Sequence, residues 1–439
     1  MIPILSTEAM READAAAVSL RGTDALVAAA GTAVALSAQT MLRGSYGRRV
    51  AVVVGPGLNG ADGRVAARWL RGRGAQVTIV EWDHAPAVLD GYDLVIDAAF
   101  GLGCTRPYAA PSVSPGTLVL AVDLPSGVDS DTGALLGSPL SADATIALGA
   151  YKHAHFTGPA ADLCGELHFA GLGIVSTFDD GLVTDDDLTS FLNSAHADHK
   201  WNHAIQALVG STLMPGAAEL VLRGALAGGA SMIRFESRGD VASSVELPPE
   251  VVHAADPRID PRCRAVVAGP GLGADAASWL RERLTDCPCP VVLDADGLDR
   301  TLIDDLSPKD GSWVLTPHEG EFARLTGTPH GPDRFAAVRA LARDTGCVVL
   351  LKGPRTVIAS PSGRLRVVTS GTSALATAGT GDVLSGLLGA TIARGHDPLE
   401  AAGLAAHLHG RAGSLLSPYS SASDVITEVR RLVPALPLL

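Results

Sequence analysis

The stretch TSGTSALATAGTGDVLSGLLGATIARG, residues 369–395, decides how the second half of this 439-residue chain is read. Ala378-Gly379-Thr380-Gly381-Asp382 sets two glycines directly ahead of a run of small and aliphatic residues, the pattern of a tight turn opening a buried helix. Backbone amides at such a helix start converge on one point, where the helix dipole favours a phosphoryl group. Asp382, beside that point, is placed to take a proton from a hydroxyl attacking phosphorus. Capping would explain Thr380 or Asp382 taken singly. It does not call for Gly-Thr-Gly before a helix of small residues.

Other strand ends around this turn fit the same chemistry. VVLLKGPRTVIASP (348–361) ends a strand at Lys352-Gly353 and continues as a hairpin, and a lysine there can neutralise a nucleotide phosphate. GPGLG (269–273) is a glycine-rich turn between strand and helix, and WVLTPHEGEFARL (313–325) sets Thr316, His318 and Glu319 at another. His318 is equally a loop histidine or a ligand contact. Asp294 and Asp296 in VVLDADGL (291–298) serve a metal, a substrate or a turn.

Strands of this kind recur almost throughout, at Val50–Val54, Gln76–Glu81, Leu94–Asp97, Leu118–Asp123 and Ala144–Leu148 in the first half. The second half offers Ser231–Phe235, Arg264–Ala268, Val291–Asp294, Trp313–Thr316, Val348–Lys352, Thr356–Ala359 and Leu365–Val368. Continuous apolar strands alternating with Ala-rich helices predict parallel sheets covered on both faces, with ligands at the carboxyl ends of the strands. The acidic run Asp185–Asp187 and the polar stretch NSAHADHKWNH break that rhythm, which places a domain boundary between 1–198 and 199–439. His196, His199 and His203 in this stretch could share a helical face, but no carboxylate or thiolate set completes a metal site, and a solvated linker is preferred.

In the first half, VVVGPGLNGADGRVAARWL (52–70) runs from a buried strand through Gly55-Pro56-Gly57 into a helix. Its glycine spacing is not that of a dinucleotide oxidoreductase. Two further strand ends, LVIDAAFGLGCTRP (94–107) and LVLAVDLPSGVDSDTG (118–133), add Asp97, Asp123 and Ser126 to Asn59 and Asp62 at one sheet edge. Carboxylate, amide and hydroxyl oxygens suit a hard cation, and an aspartate at a dry strand end can transfer protons. Turn capping is the plain alternative for any one of these aspartates.

These first-half segments resemble the NAD(P)H-hydrate epimerase family, whose loop G-P-G-N-N-G-G-D-G, strand end D-x-x-x-G-x-G and segment V-D-x-P-S-G correspond to GPGLNGADG, DAAFGLG and VDLPSG here. Leu58 and Ala61 depart from that loop, and Ala28 stands where the family's early helix commonly has Glu. Lys152 falls where the family often has a lysine. The resemblance implies that Leu58, Asn59, Gly60, Ala61 and Asp62, with Gly101, Leu102, Gly103, Cys104, Thr105, Arg106 and Pro107, contact the hydrated nicotinamide cofactor. It also implies a potassium ion on Asn59, Asp97 and Ser126, with Asp123 as the acid/base. The second half is similar to the ADP/ATP-dependent NAD(P)H-hydrate dehydratase family in the order GPGLG, LDADGL, LTPHEGEF, LKGPRT and AGTGDVLSG. It departs at the family's K-G-x-x-G, which reads Lys200-Trp201-Asn202-His203-Ala204. That likeness implies hydrate contacts from Asp382, His318, Gly273 and Ala217. It implies nucleotide contacts from Lys352, Gly353, Pro354, Arg355, Thr356, Gly379, Thr380 and Gly381, and magnesium with the ADP or ATP.

The resulting expectation is an α/β chain of two three-layer αβα domains: a Rossmann-like epimerase domain and a ribokinase-like dehydratase domain. Together they would interconvert the R and S hydrates (NADHX and NADPHX) and dehydrate the S form with Asp382 as base. The alternative is a ribokinase-like kinase for a vitamin precursor or sugar, carrying a non-catalytic N-terminal module; a stable phosphorylated product would distinguish it.

Composition narrows the partners. With 47% hydrophobic residues the chain can bury a core, and a net charge of −13 disfavours nucleic acid. The acidity is uneven: residues 1–198 hold 11 basic and 22 acidic groups, residues 199–439 hold 23 and 25. The near-neutral half is thus the one that must accept nucleotide phosphates. Only four residues are lysine (Lys152, Lys200, Lys309, Lys352), and three of them fall in the motif segments above. The six cysteines lack zinc spacing and read as reduced thiols. The uncharged run 25–42 is carried by alanine and reads as a buried or amphipathic soluble helix, and the amino terminus lacks the pattern of a signal peptide. A cytoplasmic homo-oligomer acting on small molecules, without membrane or nucleic-acid partners, is expected.

Overall fold

The computed structural model describes residues 1–193 and 199–435. The chain forms two compact units, one spanning Ile2–Asp179 and the other running from Asp180 onward. This division lies ahead of the expected boundary at 198/199. The acidic run Asp185–Asp187 that read as a break opens the helix Asp185–Asn193 of the second unit, and just ahead of it Asp180–Leu182 pairs as a parallel strand with Leu365–Val368. The Asp180 carboxylate accepts from the Leu365 amide at 2.9 Å and pairs with Arg339. Asp185 lies 2.9 Å from Nε2 of buried His407. His196 lies outside the described residues. Among the described residues, no group of three or more His, Cys, Asp or Glu side chains is arranged to hold a metal.

The N-terminal unit is built on a fully parallel six-stranded sheet, in the order Glu166–Ala170, Ala144–Leu148, Leu118–Val122, Leu94–Ala98, Arg49–Val54, Gln76–Glu81. Alternation along Arg49–Val54 sends Val50, Val52 and Val54 to a face packed with Val34, Ala35 and Leu70 from the helices Thr23–Leu42 and Leu58–Arg71. Ala51 and Val53 face the other way, onto Leu89 and Tyr108 in loop segments tied by two-residue ladders. Thr23–Leu42 is long and apolar enough to cross a membrane by length and composition, yet it packs as a core helix. A Cβ on its Gly31 would lie 2.4 Å from Val65 Cβ, so glycine permits that helix contact.

The second unit carries a sheet in the order Asp180–Leu182, Leu365–Val368, Thr356–Ala359, Val348–Leu351, Val314–Leu315, Val291–Leu293, Ala265–Ala268, Ala204–Ser211, Met232–Arg238, Val251–His253. Only Thr356–Ala359 runs antiparallel to its neighbours. Ala204–Ser211 is fully buried between two parallel neighbours, although the polar stretch before it hid it in the sequence. Helices Pro215–Ala227, Thr380–Ala393, Pro398–Ser414 and Ala422–Ala435 share one core with alternate sheet residues such as Val267, Val292 and Val314. The small residues of Thr380–Ala393 are explained by proximity: a Cβ on Gly386 would sit 2.1 Å from the Val221 carbonyl oxygen, and one on Gly389 2.2 Å from Val267. The interleaved residues Val266, Leu293, Leu315 and Val349 turn to the opposite face, and Leu280, Leu302, Phe322 and Val338 of four further helices are buried.

Candidate active sites

In the N-terminal unit, the strands Arg49–Val54, Leu94–Ala98 and Leu118–Val122 bring their carboxyl ends to one edge. The first leads through Gly55-Pro56-Gly57 into Leu58–Arg71, whose start no side chain caps. The glycines there have different reasons. A Cβ on Gly55 would lie 1.9 Å from the Ala99 carbonyl oxygen, and one on Gly60 2.0 Å from that of Gly55, so close backbone packing demands both. At Gly57 a Cβ would meet nothing within 4 Å, which leaves open space beside the free helix amides.

A cavity of about 560 Å³ opens at this edge. Of the expected substrate contacts, Leu58, Asn59, Asp62, Gly101, Leu102, Gly103 and Arg106 line it, as does Asp123. Gly60, Ala61, Cys104, Thr105 and Pro107 are not on its wall; Cys104 is buried, its thiol 3.7 Å from the Arg106 carbonyl. Lys152 completes the wall, together with Arg11, Asp14 and Val18 of the helix Thr7–Arg21. The spacing 11, 14, 18 follows one helical face, and that stripe was the available signal for Asp14.

Asp123 follows its strand with φ +68°, a left-handed conformation uncommon outside glycine. Its Oδ1 pairs with the Lys152 ammonium and accepts from the Leu148 amide at 3.3 Å. Lys152 is only 1% exposed, and its Nζ also donates to the carbonyls of Leu148 and Ala150 at 2.8 and 2.9 Å. Burial, then the neighbouring Asp123 and Asp14 charges, pushes the Asp62 carboxyl up to about 8. Burial likewise raises Asp14. The cavity thus holds a carboxylate paired to a buried lysine and another carboxyl that keeps its proton at neutral pH.

Asp97 and Ser126 lie together behind this wall. Asp97 accepts from the Ser126 hydroxyl at 2.6 Å and the Ser126 amide at 2.8 Å, while burial raises its carboxyl. The Ser126 Oγ also lies 3.0 Å from the Phe100 carbonyl. The Asn59 Nδ2 is buried without a hydrogen-bond partner, and Asn59 and Asp123 both approach Gly101. Carboxylate, hydroxyl and carbonyl oxygens of Asp97, Ser126 and Phe100 thus lie together, whereas the unpartnered Asn59 Nδ2 is a donor and offers nothing to a cation.

In the second unit, Gly379 takes φ +88° and opens Thr380–Ala393, again with no side-chain cap. The Thr380 hydroxyl turns back to the Leu375 and Thr377 carbonyls at 2.7 and 3.0 Å. Asp382 stands on the first turn, and burial, reinforced by the Asp294 charge and partly offset by Lys352, brings its carboxyl up to about 7. Asp294 is buried; its two oxygens accept from Lys352 Nζ at 2.9 Å and from the Ser385 hydroxyl at 2.6 Å. Burial alone would lower the Lys352 ammonium, but Asp294 and Glu321 outweigh it and raise it. The Gly381 backbone faces this pair, a Cβ there lying 3.5 Å from Lys352 Nζ.

The flanking turns are held from below. Asp296 accepts from the Gly273 amide at 2.8 Å, and Gly271 packs on Ala217, so the GPGLG turn and the helix Pro215–Ala227 meet closely. His318 caps the helix Glu319–Thr326 through Nδ1, at 3.0 Å from the Gly320 amide, and its side chain remains 60% exposed. Gly353, Pro354, Arg355 and Thr356 form the turn between two antiparallel strands, closed by Thr356 Oγ1 on the Gly353 carbonyl at 3.3 Å. Two supporting residues went unread in the sequence. Ser385 shares a helical face with Asp382, three residues on. His409, buried with its imidazole lowered to about 4 by desolvation, bonds to the Thr380 backbone and had no local signal.

The NAD(P)H-hydrate dehydratase family matches residues 205–434, and the family described as YjeF-related protein N-terminus matches residues 23–90 and 81–154. Over 357 residues the chain is 39% identical to the bifunctional NAD(P)H-hydrate repair enzyme Nnr of Mycobacterium leprae, covering 78% of this chain and 74% of that one. Its counterpart in Synechocystis is 32% identical over 416 residues, covering 81% and 79%. Among solved structures, the ADP/ATP-dependent NAD(P)H-hydrate dehydratase of Bacillus subtilis, co-crystallised with ATP and magnesium, aligns with a TM-score of 0.51 at 31% identity. That alignment covers 57% of this chain and 97% of the Bacillus chain. A ribokinase-like superfamily protein of Enterococcus faecalis aligns at 0.53 with 21% identity, over 60% of this chain and 98% of its own, and speaks to the fold alone.

Proposed function

This chain belongs to the family of bifunctional NAD(P)H-hydrate repair enzymes, and from that premise we propose how its two sites divide the repair. The chain is an NAD(P)H-hydrate epimerase and a nucleotide-dependent NAD(P)H-hydrate dehydratase, and the reading as a small-molecule kinase is not favoured. The observation that carries the dehydratase reading is the uncapped glycine turn at Gly379–Gly381, with Asp382 and Lys352 beside it.

In the dehydratase site, the ring hydroxyl of the S-hydrate gives its proton to Asp382 as it attacks the terminal phosphoryl group of ADP or ATP. Amides of the Gly379–Gly381 turn and the Lys352 ammonium balance the charge that develops. The ring-nitrogen lone pair then expels the phosphate to leave an iminium, and loss of a proton from the neighbouring ring carbon restores the dihydronicotinamide. Magnesium accompanies the nucleotide, a reading supported by the Bacillus dehydratase having crystallised with ATP and magnesium together. Gly353, Pro354, Arg355 and Thr356 are assigned to the nucleotide, and Ala217, Gly273 and His318 to the hydrate.

In the epimerase site, Asp123 is assigned as the acid/base, because it lies on the cavity wall with a buried lysine holding its carboxylate. Asn59, Asp97 and Ser126 would hold potassium, whose charge would help order the loop carrying the substrate contacts. The carboxylate, hydroxyl and carbonyl oxygens gathered at Asp97, Ser126 and Phe100 support this assignment. The core packing of Thr23–Leu42 supports a water-soluble protein, which we place in the cytoplasm as a homo-oligomer acting on small molecules.

The test is repair of a mixed R/S hydrate preparation by the pure protein, followed by the near-ultraviolet absorbance of the restored dihydronicotinamide. Full recovery with ADP or ATP is expected, and none without nucleotide. Absence of nucleotide-dependent recovery would overturn the dehydratase, and recovery of only the S half would overturn the epimerase.

A further inference from the structure

One buried histidine of the N-terminal unit has no part in the chemistry above, yet it touches both members of the Asp123–Lys152 pair. His155 is fully buried in the short 3-10 turn His153–His155, packed edge-on against Tyr151 at 5.3 Å between ring centroids. Its Nε2 lies 2.8 Å from the Asp123 carbonyl oxygen, and its Nδ1 lies 2.9 Å from the Lys152 amide nitrogen. A carbonyl can only accept, so Nε2 carries the proton; a neutral ring then leaves Nδ1 to accept from the Lys152 amide. One tautomer thus bridges the two backbones from which the carboxylate and ammonium project.

The bridge matters because Asp123 needs holding. Its φ of +68° is a conformation that a non-glycine residue keeps only where its surroundings impose it. On one side the Asp123 amide donates to the Ile146 carbonyl at 2.8 Å; on the other, His155 is the donor to its carbonyl. We infer that His155 is a positioning residue of the epimerase site: it fixes the left-handed turn at Asp123 and ties it to the Lys152 backbone, so that the carboxylate faces the cavity in one orientation. The inference rests on the epimerase reading of this cavity. His155 does not touch the cavity itself, and its effect passes through Asp123.

His155→Phe keeps the ring and removes both hydrogen bonds, while His155→Gln restores an amide donor within reach of the Asp123 carbonyl. In the full-length protein, kcat for R-to-S epimerisation is expected to fall about 10–100-fold in His155→Phe, with KM little changed, as a displaced reacting group would produce. His155→Gln is expected to recover most of the loss, and nucleotide-dependent turnover of the S-hydrate is expected to stay at the wild-type level in both. An unchanged kcat in His155→Phe, or a loss confined to KM, would overturn the role of His155. Failure of the wild type to epimerise would instead remove the reading on which it rests. Where His155→Phe does not fold, nitrogen NMR of the wild-type imidazole decides. A neutral Nε2–H form is expected down to about pH 5, because desolvation and then Lys152 lower this ring to about 4. An Nδ1–H tautomer or an imidazolium at neutral pH would overturn the bridge.

Discussion

Lys352 Nζ and Asp294 Oδ1 lie 2.9 Å apart at the carboxyl ends of two strands, with the glycine turn of the dehydratase helix directly above them. Asp294 is 2% exposed and uses its other oxygen on Ser385, so the carboxylate anchors the lysine from below. Asp294→Asn keeps the shape and removes the charge that holds the ammonium. The expected result is a loss of nucleotide-dependent dehydration of about 10–100-fold, with epimerisation of the R-hydrate unchanged; rates of both reactions on the same preparation check it.

Asp382 must be ionised to accept a proton, and its carboxyl is raised to about 7. The dehydratase rate should therefore climb as pH passes from about 6 to 8 and level off above that. Asp382→Asn should abolish turnover at every pH while leaving nucleotide binding measurable by calorimetry. A flat profile in the wild type would count against Asp382 as the base.

The raised Asp62 carboxyl makes a statement about stability. Its folded-state value of about 8 lies above the unfolded value of 3.8, so the folded protein retains a proton that the unfolded chain gives up. Its contribution is thus most favourable below pH 3.8 and is lost progressively as pH rises to about 8. Asp62→Asn removes that penalty and should stabilise the N-terminal unit at pH 8 by roughly 1–3 kcal/mol, since cavity water screens part of the shift. Denaturant unfolding at pH 5 and pH 8 tests the difference.

Gly386 sets the separation of two core helices. Gly386→Ala would place a Cβ 2.1 Å from the Val221 carbonyl oxygen and 2.8 Å from the Ala225 amide, both backbone atoms that cannot rotate away. A destabilisation of about 2–4 kcal/mol is expected, with the midpoint of thermal unfolding lowered accordingly. Gly57→Ala, which meets nothing within 4 Å, should leave stability near wild type and provides the control.

Much of this was legible in the sequence because its signals are local. The alternation of apolar strands with Ala-rich helices, the glycine turns at 55–57 and 379–381, and the aspartates closing successive strands all lie within a few neighbouring residues. What escaped depends on contacts between distant segments. The strand Asp180–Leu182 was absent from the expected strands because its partner Leu365–Val368 lies far along the chain, and Ala204–Ser211 was masked by the polar residues ahead of it.

The sequence by itself determined the class of fold, the order of the two catalytic units and the residues at the strand ends. Only the tertiary structure decided which of those residues share a cavity wall, that Lys152 pairs with Asp123 and Lys352 with Asp294, and that Asp62 and Asp382 keep their protons unusually well. The physical reason is that burial and the distance between charges fix a carboxyl's proton affinity, and neither exists until the sheet edges have brought the segments together.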